Sequence, residues 1–258
     1  MVGLSRTRAA LEPVRREQII VLAALAALTA LSWIYVYLQM APMAGMAGMA
    51  PAAFAPWRAV DFALNVAFWW AMMPGMMLPS AAPMIMIFAT VNRRKNERGQ
   101  PWVPTAVFTA GYLVAWGGFA VVASLADWAL EQAALISPAS QSLAPFLAAA
   151  VVAAAGLYQL SPLKTACLAH CRSPFDFVLN HWRDGRFGAL QMGLAHGFYC
   201  LGCCWLLMAL LFAAGIMSLL WMALIAIFVL LEKLLPAGLW VARIGGLALF
   251  GLALWLLA

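Results

Sequence analysis

Seven long apolar runs, separated by short connections, dominate this chain: residues 18–38, 57–91, 102–126, 143–160, 188–212, 215–231 and 238–257. A helix that crosses a bilayer needs roughly 20 mostly apolar residues, and each run meets that length or comes near it. The chain is 66% hydrophobic and 9% charged, against about a quarter charged residues in a soluble domain. That leaves too few polar groups to cover a water-facing surface. The expected architecture is therefore all-α: a polytopic transmembrane helical bundle of about seven spans, forming one integral membrane domain over 1–258. A transmembrane β-barrel would show short alternating segments instead.

The basic residues set an orientation. Arg6, Arg8, Arg15 and Arg16 lie in a tail over 1–17, and Arg93, Arg94, Lys95 and Arg98 follow the second run. Lys164, Arg172, Arg183 and Arg186 follow the fourth, and Lys233 follows the sixth. The opposite connections hold Asp127, Glu131 and Arg58. Every second connection is basic, which places the N-terminus in the cytoplasm. The net charge of +6 serves orientation, so nucleic acid is not an expected partner; the lipid bilayer is. The first run is longer than a signal-peptide core and ends in "SWIYVYLQM", so it reads as an uncleaved helix. Pro74, Pro79 and Pro83 should kink or break the second run.

The five cysteines are odd in number and lack secreted disulfide spacing, which favours reduced thiols or metal ligands. Three of them stand in "HGFYCLGCCW". His196, Cys200, Cys203 and Cys204 have offsets that share one helix face. Each alone is compatible with packing, since cysteine is a small hydrophobe. Together they make a soft-ligand stripe near the expected bilayer midplane, where an ionisable group is a functional candidate. Gly193, Gly197 and Gly202 lie among them, small enough to let another backbone come close.

"YQLSPLKTACLAHCRSPFDF" supplies a second set: Cys167, His170 and Cys171, clustered if 164–171 is helical. Ser161-Pro162 should turn the chain after the fourth run, and Ser173-Pro174 should stop the helix. Lys164 and Arg172 flank the thiols, a setting that favours thiolate. Topology puts this set at the cytoplasmic face.

Thioethers form the third set. "WWAMMPGMML" contains Met72/Met76 and Met73/Met77, each pair one helical turn apart. Methionine is often a gap-filler, but thioethers also suit Cu(I) better than harder ions. Outside the runs, a Met-rich non-cytoplasmic loop over 39–56 carries Met40, Met43, Met46 and Met49 at every third residue. In depth order the ligands run from thioethers outside, through His196 and the Cys200–Cys204 stripe, to Cys167 and Cys171 inside.

"GLYQLSPLKTACLAHCRSP" and "HGFYCLGCCWLLMALLFAAGIMSLLWMALIAIFVLLEK" resemble the DUF2182 family of bacterial integral membrane proteins, described as predicted metal-binding. "AMMPGMMLP" and "GYLVAW" resemble its earlier signatures, and the likeness runs from about Trp69 to the C-terminus. It implies that Cys167, Cys171, His196, Cys200, Cys203 and Cys204 occupy suspected ligand positions. It also implies a multi-pass protein of the bacterial inner membrane.

The functional expectation is copper handling: uptake of Cu(I), or its delivery to a membrane cuproenzyme, with a copper chaperone as a further candidate partner. The alternatives are a metal- or thiol-dependent membrane redox enzyme and a structural subunit of a membrane complex. No P-loop, dinucleotide glycine motif or H-E-x-x-H is present, which argues against ATP-driven pumping and zinc proteolysis.

Overall fold

The computed structural model describes residues 2–44, 56–99, 102–137, 142–216 and 218–257, with the side chains of 2–15 and 42–44 outside the description. Among the described residues there are nine helices: α1 (Val2–Ala44), α2 (Ala59–Asn96), α3 (Thr105–Gln132), α4 (Pro145–Gln159), α5 (Pro162–Arg172), α6 (Pro174–His181), α7 (Gly185–Ala214), α8 (Leu219–Leu234) and α9 (Gly238–Leu257). Five are long and apolar enough to cross a membrane, within α1, α2, α3, α7 and α9. A sixth candidate is the pair α4 and α5, bent by 64° at Leu160-Ser161. At 16 residues, α8 is not among these candidates. The seven apolar runs thus fold into five or six candidate spans.

Proline punctuation acts as the Ser-Pro steps require on either side of α5. Ser161 caps it, its Oγ accepting from Lys164 N at 3.1 Å, and Pro162 takes the first helical position. Ser173-Pro174 ends α5 and begins α6. In α2 the expectation of a break is overturned: the helix runs through all three prolines. Proline at position 79 has no N–H for the carbonyl four residues back, Gly75 O. The indole Nε1 of Trp33 on α1 donates to that carbonyl at 3.1 Å. A neighbouring helix thus satisfies the freed backbone group, which is how membrane helices tolerate proline. Trp33 thereby helps dock α1 on α2.

Glycine sets the closest approaches. A Cβ on Gly193 of α7 would stand 1.9 Å from Phe108 O, and one on Gly111 of α3 would stand 2.2 Å from Leu190 O. A Cβ on Gly197 would stand 2.5 Å from Ala115 Cβ. The G-x-x-x-G pattern therefore does what small residues do between packed helices: it brings α3 and α7 nearly backbone to backbone. At the "FAAG" boundary α7 ends at Ala214, and Gly215 takes φ 96°, open to glycine at little cost.

Candidate metal centre

The close docking of α3 on α7 decides what surrounds the cysteine stripe. Tyr112 of α3 reaches Cys200, with Oη and Sγ 3.1 Å apart. The same ring stacks on the His196 imidazole at 5.6 Å between centroids. On α7 itself, the thiols of Cys203 and Cys204 donate to Cys200 O, at 3.1 and 2.9 Å. This is the back-bonding that short polar side chains make within helices. It holds all three sulfurs on one buried face.

Three other helices bring donors to that face. Met77 of α2 places its Sδ 3.9 Å from Cys204 Sγ. Cys171 of α5 places its Sγ 4.0 Å from Cys203 Sγ. Lys233, near the end of α8, donates to Cys200 Sγ at 2.9 Å and to Ser80 Oγ at 3.2 Å. Ser80 in turn donates to Met77 O at 2.9 Å. The result is a cluster of four thiols, three buried and that of Cys171 half-buried, and one buried thioether, held by α2, α5 and α7, with an ammonium at its edge.

The arrangement merges two of the expected ligand sets. Cys171 does not form a separate cytoplasmic set; it joins the α7 stripe. Cys167 lies beside α7 at Gly202, where an added Cβ would stand 2.7 Å from its Sγ. His170 turns away from both thiols: its ring stacks on Tyr199 at 4.2 Å, and its Nδ1 lies 3.0 Å from Ala166 O. Lys164 and Arg172 do not serve the thiols either. Lys164 Nζ donates to both Glu232 carboxylate oxygens at 2.8 and 3.0 Å, and Gln159 Nε2 donates to the same carboxylate at 2.6 Å. Arg172 donates to Glu232 O at 2.8 Å and Pro236 O at 2.7 Å, capping the carbonyl end of α8. Two lysines counted for orientation, Lys164 and Lys233, are therefore buried.

Met72, Met73 and Met76 are packed in the core of α2 beside Met77. Helix α1 extends beyond the start of the expected Met-rich loop, to Ala44, and Met40 within it is buried. Met43 stands in its last turn with its side chain outside the described residues, as Met46 and Met49 are entirely. Sequence does not mark Tyr112, Ser80 or Lys233 as site residues; Tyr112 stands in "GYLVAW" and Lys233 ends "FVLLEK", so both lie in quoted signature stretches.

His196 is buried, and its Nδ1 has no hydrogen-bond partner among the described residues. Its ring is enclosed by Tyr112, Phe108 and Phe177. A buried polar atom left unsatisfied demands an explanation, and a neutral imidazole nitrogen is a donor a soft ion could use. Among the described residues no group of three or more His, Cys, Asp or Glu side chains is arranged to hold a metal ion. The sulfurs come instead as pairs, and the chemistry of the donors selects the guest: thiols and thioethers suit soft ions such as Cu(I). A 4.0 Å gap between two sulfurs accommodates one ion at metal–thiolate bonds of about 2.3 Å, the length typical of zinc.

The chain belongs to a family of copper chaperones, PpoB2, which matches residues 66–256. No curated protein and no solved structure matches it. The matched stretch contains every residue of the sulfur cluster and its ammonium, while α1 and the Met-rich stretch after it lie outside.

Proposed function

We propose that this member of a copper chaperone family carries Cu(I) as cargo within the bacterial inner membrane and delivers it to a membrane cuproenzyme. Cys171 and Cys203 hold the ion between them, with Cys200 and the pair Cys204 and Met77 as the adjoining sulfurs that receive it or pass it on. His196 and Cys167 stand on its way in or out, with Met72, Met73, Met76 and His170 beyond them, and Met43, Met46 and Met49 form an outer collector. The observation that carries this reading is the convergence of four thiols, three of them buried, and a buried thioether from three helices. The soft donors agree with the copper association of the family. The likeness to DUF2182 over nearly the same residues supports it. Seven crossings, with α4 and α8 as short spans and the N-terminus in the cytoplasm, complete the proposed topology; the arginines that follow α2 and α5 favour that orientation.

The test is copper content of the full chain purified anaerobically in detergent and loaded with Cu(I). Near-stoichiometric copper in the wild type, lost in Cys200→Ser/Cys203→Ser, is the expected result. Equal copper in both would overturn the assignment.

A thiol-redox role is the second reading, favoured by the sulfur-to-sulfur approach of Cys171 and Cys203 at 4.0 Å. Turnover of a disulfide substrate by the metal-free protein would select it over copper delivery.

A further inference from the structure

Lys233 has an unusual environment. The buried charged side chains among the described residues are Asp127, Lys164, Glu232 and Lys233. Lys164 and Glu232 neutralise one another at 2.8 Å. Asp127 accepts from Asn65 Nδ2 at 3.0 Å. Lys233 makes no ion pair with a carboxylate among the described residues. Its neighbour Glu232 is within electrostatic reach but makes no ion pair with it, because consecutive residues of a helix point about 100° apart. Glu232 faces Gln159 and Lys164, while Lys233 faces Ser80 and Cys200. Its electrostatic partners are thiols: Cys200, then Cys203, Cys171 and Cys204.

A buried charge is normally paired, because leaving one alone in a low-dielectric interior is costly. A packing role alone would be met by an apolar side chain of similar length. An ammonium aimed into a sulfur cluster, with its hydrogen bonds to Ser80 Oγ and Cys200 Sγ, is instead matched to something anionic that forms there.

Resting on the copper reading above, we propose that Lys233 is the fixed counter-charge of a two-thiolate Cu(I) site and sets its preference for a monovalent over a divalent soft ion. One Cu(I) bound by two thiolates carries a single net negative charge. The ammonium cancels it, so the loaded site is neutral. A divalent ion on the same two thiolates would leave the ammonium uncompensated. As the ion enters, two metal–sulfur bonds form and any protons held by those sulfurs leave for bulk water; the lysine keeps its own. Ser80 holds the ammonium on the Cys200 side of the cluster.

The test compares Cu(I) and Cd(II) affinities of the full chain in detergent, by anaerobic chelator competition. The variants are Lys233→Gln, one bond shorter, which keeps a hydrogen-bond donor but removes the charge, and Lys233→Arg, which keeps the charge. Wild type should prefer Cu(I). Lys233→Gln should lose about tenfold or more in Cu(I) affinity, the scale of one unpaired charge worth about 1.4 kcal/mol, while Cd(II) affinity holds or rises. Lys233→Arg should restore the wild-type ratio. A structural role would lower both affinities together, and that outcome overturns the proposal, as does an unchanged ratio. If Lys233→Gln does not fold, the wild type alone decides: Cd(II) bound as tightly as Cu(I) contradicts a monovalent site. Failure of the wild type to bind Cu(I) at all would instead remove the functional reading itself.

Discussion

Cys171 and Cys203 face each other sulfur to sulfur at 4.0 Å, although they are 32 residues apart and on different helices. The chain between them leaves α5 at Ser173, makes the short α6, turns at 182–184 and re-enters as α7. Two Ser-Pro steps and a docking surface on α7 therefore complete the site, which no single helix carries.

Met77 should matter more to copper than its neighbours in α2, because its sulfur touches Cys204. Met77→Leu, close to volume-conserving, is expected to weaken Cu(I) binding about tenfold, the lower end of losses seen on removing support from a metal ligand. Met73→Leu should leave it within about twofold, a difference below the 1.4 kcal/mol of a tenfold change. Chelator competition on the two variants measures both.

Gly193 is predicted to be intolerant of any side chain. Its added Cβ would fall 1.9 Å from Phe108 O, and backbone cannot yield as a side-chain tip can. Gly193→Ala should destabilise the protein by about 1–3 kcal/mol or more. Gly118, where a Cβ meets nothing within 4 Å, is the control: Gly118→Ala should be within about 1 kcal/mol of wild type, on the stabilising side. Thermal melting in detergent reads both.

The Lys164–Glu232 pair should behave as a buried ion pair, harsh to break singly and mild to remove together. Glu232→Gln strands the Lys164 ammonium and is expected to cost about 3–5 kcal/mol. Lys164→Met/Glu232→Leu should recover most of that loss. A double-mutant cycle by thermal melting checks the sign of the coupling.

His196, with Nδ1 unpartnered beneath Tyr112, is expected to govern passage more than holding. His196→Leu should keep copper stoichiometry near wild type yet slow copper transfer to a chelator added to the loaded protein. Stopped-flow absorbance follows that transfer. An unchanged rate would return His196 to packing.

Much of this was legible in the sequence because it is local. The Cys200, Cys203 and Cys204 stripe follows from helical periodicity alone, and so do the ends of α5, which Ser161-Pro162 and Ser173-Pro174 announce. What periodicity cannot supply is the partner across a helix interface. Tyr112, Ser80 and Lys233 reach Cys200 or its ammonium only after α2, α3 and α8 pack. Lys233 misled for a physical reason. At the end of an apolar run a lysine reads as a connection charge, and only the neighbouring helices reveal that it points inward. The continuity of α2 was hidden likewise, because the donor that rescues Gly75 O comes from Trp33 on another helix.

The central claim is that copper rests on these sulfurs. Copper-edge X-ray absorption on the Cu(I)-loaded full chain tests it most directly, with Cys200→Ser/Cys203→Ser alongside. The account predicts a sulfur-only coordination shell in the wild type that disappears in the variant. A shell of nitrogen and oxygen donors, or the same spectrum from both proteins, would contradict it.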